Sequence, residues 1–236
     1  MLRSDFTFRR MDGVDYTLSD HNGYLVYKGE MTTPQLRVNE HKVDGRDGLL
    51  HSTSGDYDER AFTIPCVFKT YREAQSLINA FNGMQGELKM NYLDGWYKVS
   101  SVTGVYTRDA KGIPEIDVLV MLHPFAYLDN ITKEITATGF KFENLGELIA
   151  DCVISVVGSG NGTLEINGHP FKFTSLNQTP VVINTELGDI TRGGINAGEL
   201  LEGNIDNAKI KVGQNLVNFS GGIQKVTIDY RPKLFR

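Results

Sequence analysis

Hydrophobic and polar residues alternate with period two through most of this chain, and only one stretch changes to a helical period. Over residues 60–68, Phe62, Ile64, Cys66 and Phe68 fall on one face and Thr63, Pro65 and Val67 on the other, the pattern of a strand. Pro65 has no N–H to give to a ladder, so this strand is expected at a sheet edge or beside a bulge. Directly after it, Ala74, Leu77, Ile78 and Phe81 recur at i, i+3, i+4 and i+7, with Arg72, Gln75, Ser76, Asn79 and Asn82 opposite. Thr70 with Glu73 three residues on makes a capping box, and Gly83 is a natural stop. Together they predict a helix over about 70–83. Residues 88–92 and 96–99, separated by Asp94-Gly95, predict a hairpin. The expected core is a sheet with one amphipathic helix laid against it.

The flanking text is strand-sized. From 6 to 43 there are short alternating runs divided by Asp12-Gly13 and Asn22-Gly23, pairs that tolerate positive φ. Residues 44–59 are polar and glycine-containing, and are expected to form a long exposed hairpin tip or loop with a functional role. Strands are expected over 99–107 and 116–122, with His123-Pro124 closing this half and 125–136 acting as a linker. The remainder has no helix-period stripe. Its apolar runs at 151–157, 163–166, 171–173, 181–183, 209–212, 217–219 and 225–230 are bounded by Gly, Asn and Pro, the signature of a β-sandwich. The fold expected is therefore mainly β. A β-rich N-terminal domain with one helix occupies 1–130, and a β-sandwich occupies 131–236.

Composition narrows the function classes. At 236 residues with 40% hydrophobic and 22% charged residues, the chain can bury a sizeable core and reads as soluble and globular. A formal charge of −5, with Lys and Arg scattered, argues against a sequence-independent grip on nucleic acid. The first ten residues contain no apolar run that would serve as a signal core or a membrane span, which predicts synthesis in a cytosol and no membrane partner. Cys66 and Cys152 sit among alternating apolar residues and are expected to be buried free thiols.

Candidate chemistry is sparse. Gly158-Ser-Gly-Asn-Gly162 has the glycines of a phosphate cradle, but Thr163 to Ile166 reads as a strand where that chemistry needs a helix N-terminus, so a tight turn is expected. The five histidines show no ligand spacing, and no nucleophile elbow is present. Catalytic residues, cofactor-binding residues and metal ligands are accordingly all expected to be none. Asn161-Gly-Thr and Asn177-Gln-Thr match the glycosylation sequon and read as turns.

Taken in order, the landmarks resemble a known family. They are the Gly45-Arg-Asp-Gly48 loop, the strand from Arg60, the capped helix, the hairpin, Pro124-Phe125, Gly158-Ser-Gly160 before Leu164-Glu-Ile-Asn167, and Gly213-Gln-Asn215. This series is similar to the distal tail proteins, or baseplate hubs, of long non-contractile-tailed bacteriophages and prophages. The resemblance implies an N-terminal domain that assembles into a homohexameric ring and a C-terminal sandwich like those of galectins and carbohydrate-binding modules. It implies a place at the virion tail tip, between the tail tube protein and the tail-tip or tail-associated lysin protein, with receptor-binding proteins as further partners and DNA passing through the ring. No sequence-specific nucleic-acid binding follows from it. A ring needs two complementary patches per subunit. The candidate subunit-interface residues are Asp44, Arg46, Asp47, Tyr57, Arg60 and Pro65. The alternative reading is a carbohydrate-binding or host-adhesion module acting through the sandwich, for which an open aromatic face is the expected mark.

Overall fold

The computed structural model describes residues 4–42, 44, 47–53, 55–108 and 112–235. Contacts divide the chain into two compact units, Met1–Tyr127 with Phe235–Arg236, and Leu128–Leu234.

In the first unit, β1 (Phe6–Arg10), β2 (Asp15–Thr17), β3 (Tyr24–Leu25), β4 (Glu30–Met31), β5 (Asn39–Lys42), β6 (Leu49–Ser52) and β7 (Arg60–Val67) precede helix α1 (Tyr71–Phe81). Strands β8 (Gly86–Met90), β9 (Trp96–Arg108) and β10 (Pro114–Tyr127) follow it. The main sheet is antiparallel in the order β2-β1-β8-β9-β10-β7, with β3 and β4 both pairing with the far side of β7. Strands β5 and β6 make a separate two-stranded sheet.

Helix α1 forms as its sequence predicts. The Thr70 hydroxyl accepts the Glu73 N–H at 3.3 Å, and the Glu73 carboxylate accepts the Thr70 N–H at 3.0 Å, so two amides that the helix itself leaves without acceptors are satisfied reciprocally. Ala74, Leu77, Ile78 and Phe81 are buried, the large ones at about 1.5–3 kcal/mol each of transfer free energy. Phe81 meets Phe8 at 5.4 Å and Phe6 at 6.4 Å between ring centroids. The helix comes close because β9 has no side chain at Gly104, where a Cβ would lie 2.4 Å from the Ile78 Cδ1.

Pro65, expected at a sheet edge or bulge, and Pro124, expected to close its half, both lie inside strands. Pro65 is not at an edge, since β10 flanks β7 on one side and β3 and β4 flank it on the other. Pairs on that second side run from Val67 and Cys66 to β3, then from Thr63 and Phe62 to β4, so the partner is broken opposite Pro65. The Pro65 carbonyl accepts from the Val26 N–H at 3.0 Å across this side. The N and O of one extended residue point to the same side, so the missing N–H of Pro65 faces the break. Pro124 likewise does not end its strand. The β9–β10 register skips from Leu122 to Ala126, and β10 passes through this irregularity to Tyr127. The expected linker over 125–136 is therefore replaced by the end of β10 and by the strand Ile131–Ile135, and the segments 96–99 and 99–107 merge into β9.

The second unit contains β11 (Ile131–Ile135), β12 (Phe140–Asn144), β13 (Cys152–Ile166), β14 (His169–Leu176), β15 (Val181–Asn184), β16 (Asp189–Arg192), β17 (Ile195–Asn196), β18 (Leu201–Glu202) and β19 (Gly213–Tyr230). Strands β13 and β19 run side by side through both layers of a sandwich. Residues 152–157 of β13 pair with β15 and with 225–230 of β19, which also carries β11. Residues 162–166 pair with β14 and with 217–221 of β19, which also carries β12. Inward residues of both halves, among them Ile154, Val156, Leu164, Ile166, Val217, Val226 and Ile228, share one core.

The corner is made by glycine, and the expected tight turn at 158–162 is instead this bend within β13. Its register with β19 shifts on both sides of Gly158, and Gly221 and Gly222 face it. A Cβ on Gly222 would lie 1.6 Å from the Ser159 carbonyl oxygen, and one on Gly158 would lie 2.2 Å from that of Gly222. Backbone meets backbone here, so no side chain fits. Residues 209–212 are not a strand, Ile210 making only an isolated bridge to Ala150. Asn215, fully buried, explains its place among the landmarks. Its side chain accepts from the Lys211 N–H and the Asn167 amide and donates to the Lys211 and Gly213 carbonyls, all within 3.0 Å.

Replacement of Gly222 by Ala is expected to lower unfolding free energy by about 3 kcal/mol or more, because backbone must move. At Gly213, with φ +76° and nothing within 4 Å, the same change is expected to lower it by only about 1 kcal/mol. Denaturant titration of the two variants checks the contrast.

Candidate subunit interface

The chain from Gln35 to Asp58 leaves the first unit's main sheet and returns to it as an arm. Its stem is a short ladder. The Arg37 N–H donates to the Asp56 carbonyl at 2.8 Å, the Asp58 N–H donates to the Gln35 carbonyl at 2.9 Å, and Leu36 and Tyr57 form the bridge between them. Arg37 Nε also meets Asp58 Oδ1 at 2.8 Å, holding the guanidinium pKa above its ordinary value. Further out, Asn39 pairs with Ser52, Glu40 with His51, His41 with Leu50 and Lys42 with Leu49. The His41 ring and the Ser52 hydroxyl are 2.9 Å apart, and His51 Nδ1 stands 3.8 Å from Glu40. All four residues of β5 are exposed, and Leu36 and Val38 keep 42% and 47% of their surface open. A two-stranded ribbon of this kind is marginal by itself in water.

The root is better held. Tyr57 stands edge-on to Phe125 at 5.2 Å and to Phe235 at 5.5 Å, and those two rings are 6.1 Å apart. Next to them, the Ser100 hydroxyl donates to Glu59 at 3.2 Å, and His123 Nε2 lies 3.9 Å from the same carboxylate.

The six candidate interface residues separate into distinct settings. Asp44 and Asp47 are exposed on the connection between β5 and β6, whereas Arg46 lies outside the described residues. Tyr57 is half-buried at the root. Arg60 and Pro65 are buried within the unit itself. Arg60 Nη1 donates to the Thr32 carbonyl at 2.8 Å, and the guanidinium lies 5.4 Å from the Tyr97 ring centroid. Burial lowers its pKa, with Tyr97 acting in the opposite direction. Its role is to fasten the segment carrying Thr32 to the start of β7. Phe125 and Phe235 were not found among the candidates from the sequence. Phe125 falls in the expected linker, and nothing local in the sequence connects Phe235 with Tyr57.

Other chemistry is thin. A surface pocket of about 460 Å³ opens beside Arg9, Arg10, Lys98, Ser100 and His123. Its cations are engaged, Arg9 with Asp15 at 2.7 Å, Arg10 with Asp12 at 2.8 Å and Lys98 over the Tyr127 ring. The Arg9 hydrogen bond holds Asp15 below its ordinary pKa. Among the described residues no group of three or more His, Cys, Asp or Glu could hold a metal ion, and no helix is long and apolar enough to cross a membrane. Cys66 and Cys152 are free and buried. Burial, reinforced by Asp117 and Asp5, pushes the Cys66 thiol far up, and burial pushes that of Cys152 up to about 12. In the second unit Phe142, Phe171, Phe173 and Tyr230 are buried, and Phe140 and Phe219 half-buried, so none is fully exposed.

No protein-family model and no curated protein matches this sequence. Solved structures do. The Dit protein (gp 19.1) of phage SPP1, described as a paradigm of the hub adsorption apparatus in phages infecting Gram-positive bacteria, superposes with a TM-score of 0.70 at 15% identity, covering 97% of this chain and 98% of that one. A chain of the phage P2 baseplate in its activated conformation with Ca is more distant, with a TM-score of 0.47 at 10% identity and 98% coverage of both chains. The chain thus shares the fold of the SPP1 Dit protein over nearly its whole length.

Arg60→Ala is expected to destabilise the protein by about 2–3 kcal/mol, since a buried donor and its packing are lost together, while Asp47→Ala stays within about 0.5 kcal/mol of the parent. Chemical denaturation measures both. Neither thiol is expected to react with a disulfide reagent at pH 8 in the folded protein, and both should react in denaturant.

Proposed function

We propose that this chain is a structural, non-catalytic component of a phage tail, a distal tail hub at the tail tip. Six copies close a ring that joins the tail tube to the tail-tip or lysin protein, and DNA passes through the ring. The observation that carries this reading is the fold shared with the SPP1 hub protein from end to end of both chains. Receptor-binding proteins are the further partners this place provides, and assembly takes place in the cytoplasm of the bacterial host.

The arm supports the reading from within the chain. Ring closure needs a patch on each subunit that fits a different patch on the next, with each contact burying on the order of 1,600 Å². A ribbon too small to stabilise itself, with apolar residues open along its stem, supplies one such patch. Asp44, Arg46 and Asp47 belong to the contact at its tip. Tyr57, Arg60 and Pro65 serve the contact from beneath, Tyr57 by seating the root and the other two by fixing the strand from which the arm springs. The net negative charge of the chain suits a lumen that DNA slides through without being held.

Size-exclusion chromatography with light scattering tests the proposal. The expected mass is six times 26.3 kDa, with a six-fold ring in negative-stain images. A monomer at every concentration would count against a self-assembling hub. Replacing Arg46 and Asp47 together by Ala is expected to shift the equilibrium toward monomer without unfolding. Assembly unchanged in that variant would remove the arm tip from the contact.

A further inference from the structure

Phe235 follows the whole of the second unit in sequence, yet it is part of the first. Its ring completes the cluster with Tyr57 and Phe125 at the root of the arm. Tyr57 is also the bridge partner of Leu36 on the outgoing strand, and its neighbours Asp56 and Asp58 make the two stem hydrogen bonds. Holding the Tyr57 ring therefore holds both strands of the stem. Beyond this cluster the described residues of the arm are joined by a two-stranded ladder and by exposed ion pairs, which are weak in water.

We infer that Phe235 is a strap that sets the arm, so that the arm takes up its assembly-ready direction only after the chain on both sides of the second unit has returned to the first. Phe125 and Tyr127 end the last strand before residues 128–234, and Phe235 is the first residue after them. The three rings meet only when that excursion has closed. An incomplete second unit leaves Tyr57 against Phe125 alone, with one of its two ring partners missing. Phe235 itself remains 41% exposed, as expected of a clamp laid over the root and not of a residue at the centre of the core. The device orders assembly: the segment that reaches for a neighbouring subunit is stiffened last. This consequence rests on the ring reading above, whereas the strap itself does not.

The test is hydrogen exchange on the full chain carrying Phe235→Ala, read at the Arg37 and Asp58 amides of the stem and at the amides of the β1–β8 ladder. Loss of two ring contacts is expected to speed exchange of the stem amides roughly tenfold, leaving the β1–β8 ladder at its parental rate, with Phe235→Tyr restoring the stem. Unchanged stem exchange would overturn the strap. So would an equal acceleration in the stem and in the β1–β8 ladder, seen both for Phe235→Ala and for the milder Phe235→Leu, because Phe235 would then be an ordinary packing residue. Ring mass is measured on the same samples. A loosened stem with rings intact leaves the strap standing and shows that assembly does not use the arm.

Discussion

The first unit depends on the ladder between β7 and β10, in which Arg60 to Val67 pair in unbroken register with Leu122 to Glu115. The helix and the root of the arm are both placed by it. Phe62, Ile64, Cys66, Val118 and Val120, all buried, lie on the face where Gly104, opposite Val118, admits Ile78 of the helix. The Arg60 end is where the arm enters the sheet, and β10 continues there to Phe125, the ring against which Tyr57 stands. Antiparallel pairing is rigid along the strand because each residue must keep its partner. Moving this ladder by one residue would reverse the core face and displace the arm's root.

Rigidity at the root and weakness beyond it belong together. The arm carries few groups able to stabilise it in isolation, and its ion pairs are open to solvent. A segment of that kind is suited to burial against another surface, where Leu36 and Val38 of its stem would be covered. In the proposed ring the neighbouring subunit would provide such a surface. The sandwich unit is built differently. Its two principal strands pass through both layers, and the bend constrains side-chain identity, since Gly158, Gly221 and Gly222 at the corner let backbone approach backbone.

How far these features could be read beforehand depends on whether their cause is local. The capping box of Thr70 and Glu73, the stripe from Ala74 to Phe81 and the alternation from Phe62 to Phe68 were all legible and all present. The prolines were misjudged for one reason. Proline states that a donor is missing, but the ladder tolerates the gap when the neighbouring strand is broken at the same level, as it is opposite Pro65 and at Pro124. The glycines from 158 to 162 were misjudged likewise. Their need for small size is local, whereas the reason, Gly221 and Gly222 lying against them, comes from more than fifty residues away.

Whereas the polar run expected as a loop over 44–59 holds β6 and one side of the arm's stem, the sequence alone determined the periodicities, the α-helix with its ends and the mainly β character. These follow from spacing and capping, whose physics acts within a few residues. Only the tertiary structure decided that Arg60 and Pro65 are interior, that β10 runs on through Pro124, that β13 and β19 serve two layers, and that Phe235 joins Tyr57 and Phe125. Each of these is a contact between residues remote in the chain. Burial and ring packing depend on which surfaces meet, and the alternation of a strand says which residues share a face without saying what that face will touch.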